Sequence, residues 1–77
     1  MDQLSFIMLF FESHRDEEFD SYDVEETIRH AWIDMTGEKF RDPGRRLRQL
    51  REQGYITSET KNSILYFRFS KPYHGGG

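Results

Sequence analysis

Cysteine is absent from the 77 residues, so no disulfide staples the chain and no thiolate can act as nucleophile or metal ligand. A structural zinc site loses its principal ligand for the same reason. Long apolar runs are also missing. The longest, LSFIMLFF at residues 4–11, falls well short of the roughly 20 residues that span a bilayer. No basic segment precedes it, so neither a membrane span nor a secretory leader is expected, and the lack of cysteine fits an intracellular setting. Glycine is sparse and half of it is the terminal Gly75-Gly76-Gly77. With no strand before it and no helix after it, that triplet is no phosphate loop and reads as a linker stub. His14, His30 and His74 are too scattered to form a metal motif. The acidic cluster Asp16, Glu17, Glu18 and Asp20 lacks the alternating ligands and glycine turn of a calcium loop, and reads as a solvated connection. No cofactor, no metal and no enzymatic activity are expected.

What the chain does carry is charge, unevenly placed. Residues 1–42 hold 12 Asp and Glu against 4 Lys and Arg, a balance of −8. Residues 43–77 hold 2 against 7, a balance of +5, and the halves together give the net −3. Local field matters more than total charge for a polyanionic partner, so an acidic protein can still present a basic face. Aromatic residues make up 16% of the sequence, a share that helps a single small domain fill its core.

Hydrophobic spacing divides the chain into elements. Leu4, Ile7, Met8 and Phe11 follow the i, i+3, i+4, i+7 pattern of a helix over residues 3–14. Phe6, Leu9 and Phe10 fall outside that stripe. Two readings of the surplus are open: cover from other parts of the chain, or a seam for a homodimer or a larger parent protein through Phe6 and Phe10. Residues 15–20 form a charged connection with one apolar anchor, Phe19. A second helix over residues 22–35 has Ser21 as N-cap and Val24, Ile28, Ala31 and Met35 as its inward stripe, with Trp32 at the edge and Ile33 opposite. Gly37 ends it, and Phe40 pins the turn that follows.

Residues 41–56, RDPGRRLRQLREQGYI, read as a short basic helix with its own punctuation. Asp42 caps the N-terminus, Pro43 suits the first helical position, and Gly54 suits the left-handed exit. Leu47 and Leu50 share one face. The opposite face carries Arg45, Arg48, Gln49 and Glu52. Two strands follow at 55–57 and 64–70, joined through SETKNS, with Leu65, Phe67 and Phe69 inward. The domain then covers residues 1–71 and residues 72–77 form a flexible tail.

The stretch RDPGRRLRQLREQGYI with a polar-tipped hairpin returning as LYFRF resembles the recognition helix and wing of winged helix-turn-helix domains. With two upstream helices the resemblance covers residues 3–70. It implies an α+β fold: a three-helix core, a small antiparallel wing, a recognition helix near 43–53 and a wing near 55–70. It also implies sequence-selective binding of double-stranded DNA, as a transcriptional regulator or as the reading part of a larger protein. Carried onto this chain, the DNA-facing positions are Arg41, Arg45, Arg46, Arg48, Gln49, Lys61 and Asn62. The chemistry agrees with those residue types. Arg grips guanine O6 and N7 through two hydrogen bonds, and Gln pairs with adenine N6 and N7. Arg46 and Arg51 have an alternative use as ion-pair partners of Glu25, Glu26 or Asp34 on the second helix. The acidic total, Glu52 on the reading face and a wing tip with one lysine keep open a second function, a winged-helix module that docks on another protein.

Overall fold

Six elements, described over residues 1–74 in a computed structural model, follow one another as α1 (Gln3–Ser13), β1 (Glu18–Asp20), α2 (Ser21–Thr36), α3 (Pro43–Glu52), β2 (Ile56–Lys61) and β3 (Ile64–Phe69). The three strands form one antiparallel sheet in the order β1-β3-β2. The fold is therefore α+β, three helices against a three-stranded sheet.

Each helix begins on an aspartate. Asp2 accepts from the Ser5 N–H at 2.7 Å, and this hydrogen bond holds its carboxyl below the usual carboxylate range. Asp20 accepts from the N–H groups of Tyr22 and Asp23 at 2.7 and 3.3 Å. The cap of α2 is thus Asp20 and not Ser21, because Asp20 still has extended ψ at the end of β1 while Ser21 is already helical. Gly37 closes α2 at φ 73°, where its N–H reaches the Ile33 carbonyl at 2.7 Å. Gly54 closes α3 at φ 84°, and Tyr55 N–H returns to the Leu50 carbonyl at 3.0 Å. Left-handed exits of this kind cost glycine nothing.

The core gathers one stripe from each helix and one face of the sheet: Ile7, Met8 and Phe11 of α1, Val24, Ile28 and Trp32 of α2, Leu47 and Leu50 of α3, then Phe40, Ile56 and Phe67. The inward stripe of α2 differs from the expected one. Trp32 is 5% exposed, whereas Ala31 is exposed and Met35 is 57% exposed. The reason is reach. The indole meets the rings of Phe6 and Phe40 edge-on at centroid distances of 5.2 and 5.7 Å, and the last turn of α2 runs past the layer that would cover Met35.

Phe6 and Phe10 both have partners inside the chain. Phe6 packs on Trp32, and Phe10 packs on Phe11 and Phe19 at 5.7 and 5.0 Å. The apolar α1 side chain left exposed is Leu9, at 51%. Phe19 is half-buried and pairs with Phe67 across the sheet. In β3, Leu65, Phe67 and Phe69 face inward and Ile64, Tyr66 and Arg68 outward, in the expected register.

Two boundaries differ from the sequence reading. β2 runs six residues, to Lys61, so SETK belongs to the ladder and the turn is only Asn62-Ser63, with φ of 52° and 67°. Ser58 faces the same side as Ile56, and that alternation is too polar to announce a strand. The tail expected from residue 72 is partly docked: Tyr73 meets the Tyr55 ring at 4.9 Å, and burial raises its phenol pKa. The linker expected over residues 75–77 lies outside the described residues.

Candidate nucleic-acid interface

The arrangement of α3 follows from its short sequence. Leu47 and Leu50, both fully buried, hold one face to the core, each contributing about 1.5–3 kcal/mol by leaving water. Pro43 is buried at the first turn, and Asp42 accepts from Arg45 N–H at 3.2 Å. Asp42 does so from a left-handed conformation, φ 45°, which only a few residue types accept. With that side fixed, Arg45, Arg48, Gln49 and Glu52 are exposed on the other.

These side chains border two adjoining surface hollows. Arg41, Asp42, Arg45, Arg46 and Gln49 line the first, and Arg45, Arg48, Gln49 and Glu52 line the second. Five of the seven expected DNA-facing residues are thereby brought together: Arg41, Arg45, Arg46, Arg48 and Gln49. Arg46 is half-buried, and its Nε donates to the Arg41 carbonyl at 3.0 Å. That bond fixes the approach to α3 and leaves Arg46 less free to reach outward than Arg45 or Arg48. Among the described residues, no carboxylate lies within 4.0 Å of the guanidinium of Arg41, Arg45, Arg46, Arg48 or Arg51. The alternative use of Arg46 and Arg51 as partners of Glu25, Glu26 or Asp34 is therefore not realised. Glu26 turns instead to Arg29 at 2.7 Å and His30 at 3.5 Å on its own helix.

Lys61 and Asn62 sit apart from this cluster on the hairpin. Asn62 forms the tip with Ser63. Lys61 is not a free cation. Its ammonium donates to Glu18 Oε1 at 2.8 Å, lies 3.9 Å from Glu59, and sits 5.7 Å from the Tyr66 ring centre. The Glu18 hydrogen bond is the main reason its pKa is raised. Glu18 comes from β1, which pairs with β3, so the acidic connection reaches the hairpin through the sheet. Sequence reasoning could not place that partner, because 43 residues separate Lys61 from Glu18.

Among the described residues no three His, Asp or Glu side chains converge as a metal site, and no helix is long and apolar enough to cross a membrane. Compared with known proteins, the chain matches no family model, no curated protein and no solved structure.

Proposed function

We propose that this chain is a winged helix-turn-helix domain that binds double-stranded DNA sequence-selectively, with α3 as recognition helix and β2–β3 as wing. It would act inside the cell, as a transcriptional regulator or as the DNA-reading part of a larger protein. One observation carries the reading: α3 presents Arg45, Arg48 and Gln49, with Arg41 beside them, on an exposed face where, among the described residues, no carboxylate lies within 4.0 Å of these arginines. Unpaired guanidinium groups on a single helix suit a polyanion. An α-helix fits the major groove, and bidentate Arg and Gln match purine edges there.

Salt titration against a duplex tests it. Each phosphate neutralised releases counterions, so log K falls against log salt by about 0.9 per contact. With Arg41, Arg45 and Arg48 all on phosphate the slope is near −3 by that rule, and each arginine that reads a purine edge instead makes it shallower by about one. Gln49→Ala leaves the slope in place and loses about 1–3 kcal/mol at one preferred base pair. No binding at low salt, with Arg45→Ala and Arg48→Ala indistinguishable from the parent, removes the DNA reading.

A second reading, a module that docks on another protein, draws on α2. Tyr22 and Ile33 are exposed there on one side, with Glu26 between them, a mixed apolar and acidic surface that a DNA contact leaves unused.

A further inference from the structure

The arginine face has a carboxylate at its border that its own helix does not supply. Gly44, the second residue of α3, has no side chain, and α2 uses the space. A Cβ built at Gly44 would lie 2.8 Å from Glu25 Oε1 and 3.7 Å from Arg48 Nη1. The Glu25 carboxylate and the Arg48 guanidinium therefore converge on one bare patch of backbone at the first turn of α3. They do not pair, since no carboxylate lies within 4.0 Å of Arg48 among the described residues. Glu25 is half-buried against α3, whereas Asp23, Glu26 and Asp34 of the same helix are exposed. Its place is favourable in the free protein. Backbone N–H groups at the start of a helix attract negative charge, and Arg48 adds to the local field.

We infer that Glu25 is a built-in brake on the arginine face: its carboxylate stands where an approaching phosphate would meet the start of α3 and Arg48. The inference rests on the DNA reading of α3 and adds regulation of its affinity. A phosphodiester brought to this patch is repelled at short range by Glu25, which must swing away before Arg48 is fully available. The brake weakens binding to every sequence alike, because it acts on backbone charge and touches no base edge. Gly44 makes the brake possible, since any side chain there would push the carboxylate aside.

The test compares two substitutions that change charge equally. Asp34 lies nine residues further along α2, about 13 Å at 1.5 Å per residue, and it is exposed. Affinity of the full chain for a mixed-sequence duplex is measured by fluorescence anisotropy at low and high salt, with circular dichroism confirming the fold. Glu25→Gln tightens binding about three- to tenfold at low salt, a gain that shrinks as the Debye length contracts. Asp34→Asn gives about twofold or less, as expected at that distance under screening. Glu25→Ala repeats the gain if the glutamine variant folds poorly. Equal gains from Glu25→Gln and Asp34→Asn overturn the brake, because net charge alone then explains them. Weaker binding by Glu25→Gln also overturns it and makes Glu25 a positioning residue for Arg48. Either result leaves the DNA reading intact provided Arg45→Ala weakens the parent. If neither the parent nor Glu25→Gln binds duplex, the DNA reading fails and the brake falls with it.

Discussion

Single side chains decide which charges are available. Lys61 and Arg45 both look like phosphate contacts in the sequence, yet their surroundings are opposite: Lys61 is held by Glu18 and Glu59, while Arg45 has no carboxylate partner among the described residues. An ammonium already neutralised releases few counterions when DNA arrives. Lys61→Ala therefore leaves the salt slope of DNA binding unchanged and produces only a small drop in Tm, whereas Arg45→Ala flattens the slope by about one. A loss of slope in Lys61→Ala equal to that in Arg45→Ala would show the Glu18 bond giving way to phosphate. Asp2 makes a different residue-scale prediction. Its folded-state pKa is lowered by the Ser5 N–H bond, so its contribution is present above the ordinary aspartate value and is lost as pH falls through the depressed one. Asp2→Ala costs about 1 kcal/mol at neutral pH through the missing cap. The gap between parent and variant closes in acid, and thermal melts across that range check it. A gap independent of pH would place the effect outside the carboxylate.

At the scale of elements, the hairpin joining β2 to β3 carries a strain that can be relieved. Both turn residues, Asn62 and Ser63, have positive φ, the backbone of a two-residue type I′ turn, for which Asn-Gly is the preferred pair. Asn tolerates this region and Ser does so at a cost. Ser63→Gly therefore stabilises the domain by about 0.5–1 kcal/mol net of glycine's extra chain entropy. An unchanged or lower denaturant midpoint would mean the entropy term wins. The same hairpin shows what a sequence can and cannot display. Leu65, Phe67 and Phe69 alternate with Ile64, Tyr66 and Arg68 and were legible as a strand by period. The partner strand, ITSETK, was legible for only its first residues, because its later positions are held by pairing with β3 and not by side-chain burial. α3 was legible almost entirely, since cap, proline, leucine pair and exit glycine are all local signals. In α2 the helix was legible and its inward face was not. Period alone favoured Ala31 and Met35, while ring size and the positions of Phe6 and Phe40 brought Trp32 inward. Of the candidate site, the arginine cluster on α3 came from local spacing. The neutralised state of Lys61 and the approach of Glu25 to Gly44 depend on contacts between distant segments.

For the molecule as a whole, the surplus phenylalanines of α1 have intramolecular cover, so a dimer through Phe6 and Phe10 is no longer needed to explain them. Phe6→Glu places a carboxylate against Trp32, where burying it unpaired is unfavourable. The expected outcome is a domain with a markedly lower Tm and no change of oligomeric state, with the parent a monomer in sedimentation equilibrium. A parent dimer that Phe6→Glu converts to a well-folded monomer would reinstate the seam. The strand order has one more consequence. β3 is the central strand, and its residues 66–68 pair with 18–20 of β1, so the sheet closes a loop of roughly 50 residues whose entropy must be offset late. During synthesis, α1 and α2 emerge first, with Ile7, Phe11 and Ile28 turned toward a layer not yet made. Until that layer arrives, the apolar stripes of α1 and α2 lack the cover that β3 gives them in the folded domain. Phe67 and its neighbours complete that cover, which makes the last strand, not the first helix, the moment at which aggregation ceases to compete.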